Sequence, residues 1–257
     1  MITRYPGFLA SALHRRERRR WARAARQAER MPLSRLRHLR LRALELRQVL
    51  DRLLFVADNR LALPRIGSNS FPKPLFSDWA WRPKLWRGPI FPAGAAAVET
   101  HQTFGEEVTV YHDCRISELT IRQLRNTREE DLAPYGLRMD VFNFDGSFLS
   151  LVIQLPNEGI QGLRKRHIVR MTAVVETERP LEIFARLNVR HGPNTEQLVR
   201  ELPLGTGEIV VEFDLAYSNM NEKRVEAAWV DLIFEGPQMN QVTLRDVTFS
   251  RRPRAEI

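Results

Sequence analysis

VRMTAVVETERPLEIFARLNVR, residues 169–190, carries the period that decides the fold. Val169, Met171, Ala173 and Val175 alternate with Arg170, Thr172, Val174 and Glu176. Ile183, Ala185, Leu187 and Val189 then alternate with Phe184, Arg186, Asn188 and Arg190. A period of two places one set on a buried sheet face and the other on a wetter face. The same pattern extends outward in both directions. Val108 and Val110 continue it through His112, Cys114 and Ile116; Leu149, Leu151, Ile153 and Leu155 repeat it. So do Ile209, Val211, Phe213 and Leu215, and then Ala228, Val230, Leu232 and Phe234. In the last segment Val242 and Leu244 share one phase and Val247 and Phe249 the other, which predicts a bulge at Arg245-Asp246. Many short alternating segments in about 150 residues predict a sandwich. The expected class is mainly β: a jelly-roll-like antiparallel β-sandwich over 99–257, preceded by a basic N-terminal helical arm. Residues 117–136 break the series, and Ser117 ahead of Leu119, Ile121 and Leu124 predicts a short capped helix there. Asp145-Gly146 predicts a hairpin turn.

The arm is set apart by charge. The 257 residues hold 40 Lys+Arg and 31 Asp+Glu, a net charge of +9. Residues 1–65 contain 17 Arg, no Lys and five acids, a net charge of +12; the remainder is −3. Such asymmetry points to an arm that meets a polyanion. Pro6, Pro32 and Pro64 frame two stretches rich in helix formers, within an arm spanning 1–63. Leu36, Leu39, Ala43, Leu46, Leu50, Leu53 and Ala57 follow heptad spacing, so residues 36–57 either pack on their own protein or self-associate. The cluster Arg15, Arg16, Arg18, Arg19, Arg20 and Arg23 is the expected contact with an anionic surface. An anionic membrane surface or an acidic protein is expected ahead of nucleic acid. Apolar runs fall short of the ~18 residues that a transmembrane helix needs. The arginines follow the short apolar stretch, the reverse of a secretory signal. A cytoplasmic protein, peripheral to the membrane at most, is expected, and the single cysteine, Cys114, agrees.

Between arm and sandwich, residues 64–98 hold six of the 15 prolines and three of the five tryptophans, Trp79, Trp81 and Trp86. That density argues against regular helix or central strand, and the aromatics argue against a floppy linker. An ordered strap that wraps onto the sandwich is expected.

Two resemblances follow from these residues. SDWAWRPKLWRGP (77–89), NTREEDLAPYGLRMDVFNFDGSFLSLVIQLP (126–156) and VTLRDVTFSRRPR (242–254) resemble an uncharacterised alphaproteobacterial family. That resemblance implies a bacterial protein and supplies no activity. Residues 137–252 are similar in layout to carbohydrate-binding jelly-roll modules of the galactose-binding-like kind, which close on a strand like Leu244-Arg245-Asp246-Val247-Thr248-Phe249. Those modules often carry two Asp in that strand, and some hold a structural Ca²⁺ in that region. Arg245 replaces the first Asp, which weakens the case for that ion; a structural Ca²⁺ is the one cofactor the resemblance leaves open.

Sugar recognition needs an aromatic platform and planar polar partners. Trp79, Trp81 and Trp86 offer platforms; Arg186, Asn188, Arg190, Trp229 and Asp231 offer a polar face. Hydrolysis would need two facing carboxylates, for which Asp140 and Asp231 are a candidate pair. Cys114 beside His112 falls on a buried phase, which disfavours a nucleophile. His101, His112, Asp113 and Cys114 lack zinc spacing, and Asp140, Asn143 and Asp145 lack that of a calcium loop. Leu204–Gly207 is too short for a phosphate loop. No catalytic residue, metal ligand or cofactor is assigned. The leading expectation is a non-enzymatic module that binds a glycan. The alternatives are an assembly subunit using the sandwich for protein contacts and a polysaccharide-acting enzyme.

Overall fold

A computed structural model describes residues 8–61, 73–205 and 207–254. Pro6, Pro64, Pro72 and Thr206 lie outside the described residues. Two compact units divide at Leu50 and Asp51.

The first unit is helical. Helix α1 runs Phe8–Gln27, a 3₁₀ turn follows at Ala28–Arg30, and α2 runs Leu33–Leu61. Pro32 separates them as expected: it lacks a donor, but its carbonyl accepts from Leu36 N at 2.9 Å to start α2. Of the heptad positions, Leu36 and Leu39 are half-buried, whereas Leu46 and Leu50 are exposed. Among the described residues no helix is long and apolar enough to cross a membrane.

The second unit is a two-sheet sandwich. In chain order its elements are β1 (Trp79–Trp81), α3 (Lys84–Arg87), β2 (Gly94–Ala96), β3 (Gln102–Phe104), β4 (Val108–His112), β5 (Leu119–Arg125), β6 (Tyr135–Val141) and β7 (Leu149–Gln154). After them come α4 (Asn157–Ile160), β8 (His167–Thr177), β9 (Glu182–His191), β10 (Asn194–Glu201), β11 (Glu208–Asp214), β12 (Val225–Glu235) and β13 (Asn240–Pro253). One sheet has the order β11-β8-β13-β6-β5-β2, with β1 also on β13; the other has β10-β9-β12-β7-β4-β3. All the pairings are antiparallel. From β6 onward the chain crosses repeatedly from sheet to sheet, the jelly-roll trait. The apolar phases of 169–190, 209–213, 228–234 and 242–249 meet in one core.

Two local expectations are corrected. Residues 119–125 form a strand, not a helix, because Leu119 and Ile121 point inward in alternation and β5 is paired on both sides, by β6 and β2. Asp145-Gly146 makes no hairpin turn, because β6 and β7 lie in opposite sheets and the connection must cross between them. The β4 segment also ends earlier than the alternation suggests: Cys114 is only half-buried, and Ile116 is exposed.

The bulge in β13 falls where the phase change placed it, between Leu244 and Asp246. It turns Val242, Leu244, Val247 and Phe249 all into the core. The strap is locked to this bulge. Arg82 is fully buried, and its Nε and Nη2 donate to Asp246 Oδ1 and Oδ2 at 2.8 and 2.7 Å. Trp86 Nε1 donates to Leu244 O at 3.0 Å. Gln123 on β5 donates to the carbonyls of Leu85 and Gly88 and accepts from Ile90 N. Burial pushes the Asp246 carboxyl above its ordinary range, against the opposing pull of Arg82. Replacing Arg82 by Met leaves that carboxylate buried without its counter-ion. Urea unfolding of R82M at pH 7 is expected to show a loss of about 3–5 kcal/mol, with much of it recovered in R82M/D246L. The loss narrows as pH falls, since a protonated Asp246 needs no cation.

Candidate functional site

The outward face of the second sheet forms the site. Strand register builds its grid: Asp231 lies between Val152 of β7 and Arg186 of β9, and Trp229 between Gln154 and Asn188. Ser150 lies beside Ile233 and Tyr111, one row further along. Together with Phe148, and apart from Asn188, these side chains line a shallow depression of about 520 Å³. The rim is aromatic, with Tyr111 and Trp229 half-buried and Phe148 exposed. Tyr111 is braced by an edge-on contact with His101, ring centroids 4.6 Å apart.

The floor is polar and already partly engaged. Asp231 is only 3% exposed. Its Oδ2 accepts from Arg186 Nε at 2.9 Å, Arg186 Nη2 at 2.6 Å and Asn188 Nδ2 at 3.0 Å. Its Oδ1 is buried and has no hydrogen-bond partner. A buried acceptor left without a donor costs roughly 1–3 kcal/mol. The depression therefore presents an aromatic wall beside an acceptor that lacks a donor.

Arg186, Asn188, Trp229 and Asp231 are thus brought together. Arg190 is not: it is half-exposed and pairs with Glu226 at 3.4 Å, off the depression. The strap tryptophans do not join the face either. Trp86 is completely buried, so it offers no platform. Trp79 and Trp81 belong to the other sheet through β1, lie 6.3 Å apart and pack inward, Trp81 against Phe249 at 5.9 Å. Gly159 makes room for this packing, since a Cβ there would lie 2.6 Å from the Trp79 ring. The aromatics that do line the face, Tyr111 and Phe148 beside Trp229, went unassigned from sequence. Tyr111 stands on the polar phase of an alternating strand, which was the available signal.

The other candidate chemistry is dispersed. Asp140 lies on β6, in the opposite sheet from Asp231, and is engaged by Arg138 at 2.7 Å and Arg122 at 3.7 Å. Asp145 accepts from Arg115, and Asp113 from Ser147. Among the described residues no group of three His, Cys, Asp or Glu could hold a metal ion. His112 Nε2 meets Val98 O at 2.9 Å, and its Nδ1 accepts from Cys114 N. On the helical unit, Arg15, Arg16, Arg19, Arg20 and Arg23 share one cleft with α2, and Arg18 points elsewhere.

The family described as "Family of unknown function (DUF6478)" matches residues 1–257. Among curated proteins none matches the chain. Several solved structures share a similar layout at low identity. The bacteriophage CBA120 tailspike protein 4 enzymatically active domain is 7% identical at a TM-score of 0.40, covering 56% of this chain and 19% of its own. The family 11 carbohydrate-binding module from Clostridium thermocellum, in complex with a β-1,3-1,4-mixed-linked tetrasaccharide, is 9% identical at a TM-score of 0.40, covering 64% and 99%. The CBM22-1 xylan-binding domain from Paenibacillus barcinonensis Xyn10C is 10% identical at 0.36, covering 65% and 96%. At such identities and scores no residue role passes from those proteins to this chain.

Burial pushes the Cys114 thiol above its ordinary value, and the nearby Asp145 and Asp113 carboxylates add to the rise. Alkylation by iodoacetamide is therefore expected to run slower than for free cysteine at pH 7, with a rate still climbing above pH 9. A plateau near neutral pH would identify an activated thiolate instead.

Proposed function

We propose that this chain, which belongs to the DUF6478 family of unknown function, binds a glycan on the outward face of its second sheet. The observation that carries the reading is the partnerless Oδ1 of buried Asp231, a residue that lines the same depression as Trp229. A pyranose suits both features. Its C–H face lies on an indole, and one of its hydroxyls donates to the waiting carboxylate oxygen. The volume of about 520 Å³ falls in the range of small-ligand sites, and the open form suits a chain end or a short run of sugars. Arg186 and Asn188 hold the carboxylate in place through Oδ2, so the acceptor is pre-oriented. Arg186 also neutralises the charge, which keeps the floor suited to uncharged hydroxyls. Asp231 is the one acidic side chain among the residues lining the depression, so the face is read as a binding surface rather than a two-carboxylate hydrolytic centre.

A glycan array followed by titration calorimetry on the full chain tests this. W229A and D231N are each expected to weaken binding of the best neutral oligosaccharide at least about tenfold, equal to 1.4 kcal/mol. R190A, off the depression, is expected to leave it unchanged. No binding across neutral cell-envelope polysaccharides would sink the proposal, as would binding that both variants retain.

A further inference from the structure

The helical unit carries a second candidate site, independent of the sandwich face. The arginine row of α1 faces Arg35, His38 and Arg42 of α2 across a cleft of about 900 Å³. Seven of the residues lining the cleft are arginines, and none is acidic. Glu17 reaches Arg20 at 3.5 Å from outside it, an exposed pair of little weight. Guanidinium groups gathered on two walls repel one another unless an anion lies between them. Every cation of residues 1–65 other than histidine is Arg, the side chain whose planar fork grips a phosphate through two parallel hydrogen bonds.

We infer that this cleft binds the phosphate backbone of single-stranded nucleic acid. Two facing walls of guanidinium groups suit a thin polyanion that can turn charges to both sides better than the flat surface of a bilayer. Repetition decides against a lone phosphate. Arg15, Arg19 and Arg23 recur every four residues, so their stems stand about 6 Å apart along one wall. Such a row matches a linear series of negative charges. A flexible single strand is thin enough to lie along the row and turn phosphates to either side. The unit's own composition supports a polyanion: the +12 of residues 1–65 contrasts with the −3 of the rest, so attraction is confined to the arm.

The test uses the full chain and a fluorescein-labelled dT20 strand, read by polarisation between 50 and 200 mM salt. About five neutralised phosphates give a salt slope near −3.5, so the dissociation constant should rise roughly 100-fold across that range. R15Q/R19Q/R23Q should lower the slope by about 2, with helix content retained by circular dichroism, because Gln is a good helix former. R18Q/R26Q/R30Q removes the same charge from α1 and the turn after it, away from the cleft, and should keep most of the slope. Equal losses in the two triple variants would overturn the cleft as the site. The inference also falls if dT20 is not bound at 50 mM salt, or if phosphatidylserine vesicles bind and excess dT20 does not displace them.

Discussion

The paired contact of Arg82 with Asp246 is the constraint on which the rest of the sandwich depends. It joins residues 164 positions apart, and the Arg82 side chain is fully covered. Asp246 can point at the strap only because β13 bulges after Leu244. The same bulge lets both halves of the strand feed the core. Trp86 closes over the Leu244 carbonyl, and Asn126 Nδ2 donates to the Arg245 and Ala133 carbonyls, so the irregular backbone at the bulge is paired from both sides. A bulge leaves ladder groups without partners, and buried groups in that state are costly. Strap, bulge and first sheet therefore form one cooperative unit.

A second buried aspartate throws the first into relief. Asp246 has both oxygens satisfied by one guanidinium, which makes it structural. Asp231 also has an arginine partner, yet all three donors converge on Oδ2. Its other oxygen stays buried and partnerless on a sheet face lined by aromatics. Similar residue pairs thus have different meanings, and the difference lies in one oxygen atom. Natural structures pair nearly all buried polar groups, so an exception beside a depression points to something that arrives from outside.

Charge is divided between the units as sharply as structure. The helical unit gathers arginines on two facing walls, whereas the sandwich interleaves its charges in pairs such as Arg170–Glu212, Arg245–Glu176 and Arg251–Asp78. The excess positive charge belongs to residues 1–65, at +12, and the remainder is close to balance at −3. The whole-chain value of +9 describes neither unit.

The sequence by itself determined β4, β7, β8, β9, β11, β12 and β13, the bulge, the helix break at Pro32 and the segregation of charge. Each of these is a local property: alternation compares a residue with its neighbours at i±2, and proline acts within a turn. Local reading failed at 119–125, where three apolar residues fitted a helical period as well as a strand and pairing with β6 and β2 decided. It failed again for Trp86, whose burial depends on a carbonyl 158 residues away. The outward phase of Arg186, Asn188, Trp229 and Asp231 was legible in each strand separately. Their meeting was not, because β9 and β12 become neighbours only through the sheet order, and no local period encodes which strands lie side by side. Tertiary structure alone decided that the strap tryptophans face the core, that Asp246 is closed, and that Asp231 keeps one oxygen without a partner.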